Sequence, residues 1–285
     1  MYAPTERCVT PPKHAHVHSQ NTASLQPKYS QRVLARIQLV NPDSTRKALD
    51  ATDRCVNLAH MTQDADSLHR IAADRFSCRK FLPDPVADDT ITDIVNTARH
   101  APSWNNVQPW KLTVTKGAAT DAFRTALHAR AASGATPEPD LDWPTDYPGV
   151  LGDRRRTCGY QLYEAVGIDR KDHAARTTQM LENFSLFDAP HVAIVTSPKV
   201  LGAYGALDCG GFLTAFCLAA QARGVGTILQ AAIAAQAPFV RDWFDLPDDD
   251  MILCAISFGH PDMSHPINNY RTAREAPDAI IDWKS

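Results

Sequence analysis

The chain has 285 residues, 44% apolar and 21% charged, an ordinary composition for a water-soluble protein of one large or two small domains. Its formal net charge of −3 argues against a nucleic-acid binder relying on bulk positive charge, and no apolar run approaches the ~20 residues that span a bilayer. Seven cysteines, at 8, 55, 78, 158, 209, 217 and 254, form no C-x-x-C pair and accompany no visible secretory signal, which points to reduced thiols in a cytoplasmic protein.

Residues 1–60 are rich in Pro, Ser, Thr, Gln and His and carry few sustained apolar faces. Such a segment buries too little to offset its ordering entropy, so it reads as an N-terminal extension, mobile or wrapped over a partner. Within it, "QRVLARIQLV" (31–40) has the pattern of a short amphipathic helix. The acid-poor, Arg-containing start weakly resembles a transit peptide, and Met61 is an alternative start. The tract "HAHVH" (14–18) lies in a polar tail, where such tracts are more often incidental than metal sites, and no metal is expected.

From Met61 to Ser285 helices and strands alternate, as in one domain. "DSLHRIAADR" predicts a helix leading into the extended "RFSCRKFLPDPV". Ile91, Ile94, Val95 and Ala98 recur at helical spacing, with Asp88 or Asp89 as cap and Pro102 as stop. "HAPSWNNVQPW" is then a polar, aromatic loop, the kind of segment that carries binding chemistry, unless it is a stiff turn around one buried Trp. "KLTVTKG" alternates as a strand. A helix over about 121–132 and a long Pro- and Gly-punctuated loop over 133–150, a candidate lid, come next. Helices are predicted near 154–166 and 173–187, then the strand "HVAIVTSP", a helix over 208–223 whose apolar part is a core or interface segment, and the short strand "GVGTILQ". Pro238 fits the first turn of another helix, and "MILCAISFG" is the last strand. Helices outnumber strands, and the class is α+β.

Several signatures fail. "GVGTIL" lacks the third glycine of a dinucleotide turn, and no helix opens there. There is no P-loop, H-E-x-x-H or G-x-S-x-G, and nothing pairs a Ser, a His and an Asp into a hydrolase site. Three stretches remain. In "RFSCRKF", Arg75, Ser77 and Arg79 share one face of an extended segment, and two guanidiniums around a hydroxyl suit a phosphate with a sugar-like chain. The others are the aromatic loop and the tail "NNYRTAREAP", where Arg271 and Arg274 form a second cationic pair. Taken singly, each arginine pair also reads as a solvated basic edge.

Together and in order, "RFSCRKF", "APSWNNVQPW", "GVGTILQAAI", "AISFGHPD" and "NNYRTARE" resemble the FMN-dependent nitroreductase family, from about Met61 to Trp283. The resemblance implies a mainly antiparallel sheet flanked by helices, and an intertwined homodimer with FMN at the subunit interface. By position, Arg75 and Ser77 would contact the FMN phosphate and ribityl chain, and Arg79 the pyrimidine end of the ring. Arg274, with Arg271, would close on the phosphate. Pro102, Ser103 and Asn106 would reach the partner subunit's flavin, Asn105 lies nearby, and Trp110 would anchor the following strand. Leu229 would cover one ring face, with the backbone near Ala231 and Ala232 facing N5 or O4. Asp208 aligns with a flavin-adjacent position or caps a helix.

The implied reaction is transfer of electrons from NADH or NADPH through the flavin to a nitroaromatic or quinone-like acceptor, by ping-pong kinetics and with no obligatory protein acid or base. Flavin-fragmenting enzymes and reductive dehalogenases share these motifs and differ in their lids; here Trp143 and Tyr147 stand beside several carboxylates, without a zwitterion-clamping set. A non-catalytic flavin-binding protein is the alternative from another class.

Overall fold

A computed structural model describes residues 61–285. The expectations for 31–40 and for His14–His18 lie outside the described residues. Residues Gln63–Ser285 form one compact unit, and the fold is that of this unit.

Its elements are α1 (63–74 within this unit), α2 (Asp88–Ala98), β1 (Lys111–Lys116), α3 (Ala118–Ala132), α4 (Val150–Ala165), α5 (His173–Leu181), β2 (His191–Pro198), α6 (Gly202–Gln221), β3 (Gly226–Gln230), α7 (Ala231–Ala234), α8 (Ala237–Phe244) and β4 (Asp250–Gly259). The four strands form one sheet in the order β1-β2-β4-β3, every pairing antiparallel. The α+β expectation of a mainly antiparallel sheet flanked by helices is met.

Strand periodicity builds two cores. In β2, Ala193 and Val195 face a cluster with Ile94 of α2 and Phe212 and Phe216 of α6, while Val192 and Ile194 face Phe123 and Leu127 of α3 and Val240 of α8. The register shifts between Val195 and Thr196, with Leu253 unpaired opposite. That extra residue puts Ile252 and Ala255 on one face although Cys254, Ile256 and Phe258 occupy the other. Trp110 stacks on Phe212 at 5.0 Å and anchors β1, as expected.

Some local expectations need correction. Neither Asp88 nor Asp89 caps α2. Ala87 holds that position, both aspartates sit in the first turn, and Asp88 pairs with Lys116 instead. The second helix of the pair stops at Leu181, because Leu186, Phe187 and Asp188 adopt left-handed backbone (φ 59°, 52° and 62°) that reverses the chain into β2. The segment Lys199–Gln221 is long and apolar enough to cross a membrane by length and composition, which the run-counting argument missed. One side of it, including Phe212, Phe216 and Ala220, is buried in the first core cluster.

The 133–150 loop contains no helix before its last residue, which opens α4, and it is pinned at its start. Glu138 N–H donates to Ala235 O at 2.7 Å, and the Asp140 carboxylate accepts from Arg241 at 2.7 Å and from Ile252 N–H at 2.8 Å. Trp143 and Tyr147 farther along are exposed, with Arg155 stacked 5.0 Å from the Tyr147 ring.

Candidate functional site

The chain leaves α1 extended and runs along the open edge of β3. Ser77 bridges Thr227 in parallel, and Cys78 N–H donates to Thr227 O at 3.0 Å. Alternation then sorts the side chains. Cys78 is fully buried with Phe81, Phe187 and Ile228, and burial pushes its thiol up to about 12, so it is a neutral packing group. Arg75, Ser77 and Arg79 line a cavity of about 210 Å³.

The facing wall is the tail after β4. Asn268, fully buried, accepts from Arg79 N–H at 2.8 Å and donates to Lys80 O and Asp262 O, each at 2.8 Å. This side chain fastens the tail to the first strand-like segment. Tyr270, Arg271, Thr272 and Arg274 follow it into the same cavity. Arg271 lies 4.1 Å over the Phe76 ring and donates to Asn268 O at 2.8 Å. Arg274 donates to Thr272 Oγ1 at 2.7 Å. The two arginine pairs, distant in sequence, therefore converge. Among the described residues none of the four guanidiniums pairs with a carboxylate. Four unneutralised cations with convergent hydroxyls form a site for a multiply charged oxyanion.

A second cavity, about 440 Å³, shares Arg75, Ser77 and Arg274 and adds Thr214, Thr227 and Leu229. Leu229 is 44% exposed although its β3 neighbours are buried, so it presents an apolar face to that space. Ala231 and Ala232 open α7 just beyond and line neither cavity.

Pro102, Ser103 and Asn106 also stand outside these walls. Their loop is tightly wound: Asn105, Asn106 and Gln108 have φ of 47°, 58° and 51°, and Ser103 Oγ accepts from Gln108 N–H at 3.0 Å. Left-handed backbone at three non-glycine positions in four is stored strain of the kind that gathers at functional loops. Asp208 is mid-helix in α6, which overturns the capping alternative; its carboxylate accepts from Trp104 N–H at 3.1 Å and ties loop to helix. Sequence reasoning missed Asn268, Tyr270, Thr272, Phe76 and Cys158 of the site. The first three stood beside the tail arginines, so the polar "NNY" was a usable signal, whereas Cys158 arrives from α4 with no local mark.

Known proteins resemble the chain over most of its described residues. Residues 72–260, more than half of the chain, match the nitroreductase family. The chain is 33% identical over 218 residues to a 4-nitrobenzoate reductase of Pseudomonas putida, covering 76% of this chain and 94% of the relative. It is 35% identical over 199 residues to a nitrobenzene nitroreductase of Ectopseudomonas oleovorans, covering 68% and 87%. The crystal structure of the FMN-dependent nitroreductase NfnB from Mycobacterium smegmatis in complex with NADPH is similar, with a TM-score of 0.74 and 31% identity over 78% of this chain and 99% of that one. With its antiparallel sheet and convergent arginines, the chain belongs to the nitroreductase family.

Proposed function

We propose that this protein is an FMN-dependent oxidoreductase that takes electrons from NADPH or NADH and delivers them to nitroaromatic or quinone-like acceptors. One observation carries the reading: Arg75, Arg79, Arg271 and Arg274 surround one cavity, unpaired with any described carboxylate, in a member of this family. The donor set fits FMN, whose phosphate is doubly charged and whose ribityl chain bears hydroxyls that Ser77 and Thr272 can meet. Relatives named for nitrobenzoate and nitrobenzene reduction, and a solved relative bound to NADPH, support the acceptor and donor classes.

When bound, FMN supplies two-electron transfer between nicotinamide and acceptor. The chain's own residues hold and bias it. Arg75 and Arg274, with Arg271, neutralise the phosphate. Arg79 would hold the pyrimidine edge of the ring, where its cation would favour the more negative, reduced form. Leu229 keeps water from one ring face. Nicotinamide and acceptor would use the same exposed flavin face in turn, so ping-pong kinetics are expected, and no side chain is assigned as an obligatory acid or base.

The working unit in this reading is a homodimer. Pro102, Ser103 and Asn106 lie outside the cation-lined walls, and the apolar surface beside them, Trp104 with Tyr204 and Leu207 of α6, is exposed. A second subunit covers that surface and brings its Ser103 loop to the neighbouring cofactor. The five described cysteines are free, which fits the cytoplasm.

The purified chain, reconstituted with FMN, should show flavin absorbance that bleaches anaerobically on adding NADPH or NADH and returns with a nitroaromatic. Parallel double-reciprocal lines are expected. Failure to retain FMN ends this reading, and retained FMN that neither nicotinamide bleaches leaves a flavin-binding protein.

A further inference from the structure

The tail contributes more than phosphate-binding charge. Arg79 uses both protons of one terminal nitrogen within the protein: it donates to Ser77 O at 3.2 Å and to Tyr270 Oη at 2.9 Å. Its Nε and other terminal nitrogen meet no acceptor among the described residues. A guanidinium has five N–H donors, so three stay available to the cavity. The Tyr270 hydroxyl accepts from Arg79 and donates to no described residue, which leaves its own proton available too.

We propose that Tyr270 is a positioning residue: its phenol oxygen fixes Arg79 in the cavity wall, so that guanidinium and hydroxyl present one set of donors to an acceptor-rich edge of the bound ring. The inference rests on the flavin reading above. The geometry separates oxygen from ring. Arg79 Cζ is 5.9 Å from the Tyr270 centroid, the outer limit for a cation over a ring, so the hydrogen bond is the closer restraint. Asn268 holds the Arg79 main chain two residues earlier in the same tail, so both ends of Arg79 are fixed by one segment. Burial raises the Tyr270 pKa above its ordinary value, against a smaller opposing effect of Arg79, so the phenol remains a proton donor through neutral pH.

The test uses Tyr270→Phe, which keeps the ring and removes the oxygen, together with Arg79→Ala and the double variant. In Tyr270→Phe, FMN affinity should stay within about tenfold of wild type, because at most the phenol's own contact with FMN is lost and the phosphate arginines are intact. The midpoint potential of bound flavin should move to more negative values, as Arg79 becomes mobile and its charge less localised. In the Arg79→Ala background the same change should shift the potential by clearly less, only by what the hydroxyl's own contact contributes. An unchanged potential in Tyr270→Phe, or shifts that simply add in the double variant, overturns the proposal. Crystal structures of the flavin-free proteins give a second readout. Arg79 should leave the cavity wall in Tyr270→Phe, and an Arg79 that keeps its place refutes positioning by the phenol. If wild type takes up no FMN, the functional reading falls, while the flavin-free structures still decide the role of Tyr270.

Discussion

Arg75 and Arg274, like Arg79 and Arg271, have no described carboxylate to release when an anion arrives. Arg154 is held by Glu275 at 2.8 Å and Arg241 by Asp140 at 2.7 Å, so those charges are already committed. Arg75 and Arg274 line both cavities. A hydrogen bond to a charged group is worth about 1.5–3 kcal/mol. Arg75→Ala and Arg274→Ala should therefore each weaken FMN binding by roughly 10- to 150-fold. Ser103→Ala removes only a neutral group and should cost less. Fluorescence titration of the apoprotein with FMN checks the order, and full affinity in both arginine variants would move the phosphate elsewhere.

Among the elements, β2 is tied to its neighbours by His191. Its Nδ1 lies 3.1 Å from Thr115 O on β1, and its Nε2 lies 3.0 Å from Val86 N–H just before α2. A carbonyl only accepts and a main-chain N–H only donates, so the ring is neutral with its proton on Nδ1. Burial holds its pKa below the usual histidine value. Below about pH 6.5 the unfolded chain then binds a proton that the native one refuses, so stability is full above that pH and falls as pH drops through it. Urea unfolding between about pH 5.5 and 7 should show this slope, and His191→Gln should be less stable at high pH yet flatter across the window. Equal slopes would place the titration elsewhere. The same strands were the most legible elements in the sequence, although their burial departs from simple alternation: "HVAIVTSP" is buried along both faces, and in "KLTVTKG" Thr115 is buried while Val114 is exposed. The end of α5 was not. Apolar residues keep helical spacing through Phe187, but tertiary burial of Leu186 and Phe187 pulls the backbone left-handed, against about 1–2 kcal/mol per residue. In the site, R-x-S-x-R was readable as one face, and the tail arginines joined it only through family likeness. The Asn268 contact to Arg79 spans 189 residues, and no local pattern encodes it.

At the scale of the whole molecule, the unfinished surface is the outer side of α6. Leu207 is 67% exposed and Tyr204 57%, Val200 in the turn just before the helix is 90% exposed, and the Trp104 ring meets Tyr204 edge-on at 4.5 Å. Contiguous apolar surface of this kind marks an association site. A charge there should be tolerated by the isolated fold, because Leu207 contributes nothing to either core cluster. Leu207→Glu should keep the wild-type circular dichroism and urea midpoint within the spread of surface substitutions, about 0.5 kcal/mol. Light scattering should show its mass fall from dimer to monomer, since a desolvated carboxylate is costly at an apolar contact. FMN should be lost with the partner, because the Ser103 loop lies outside the walls formed by Arg75 and Arg274 in its own chain. A wild type that is monomeric at assay concentration and still holds FMN would show one subunit to be sufficient. A monomeric Leu207→Glu with full FMN affinity would show that the loop serves the interface and not the cofactor.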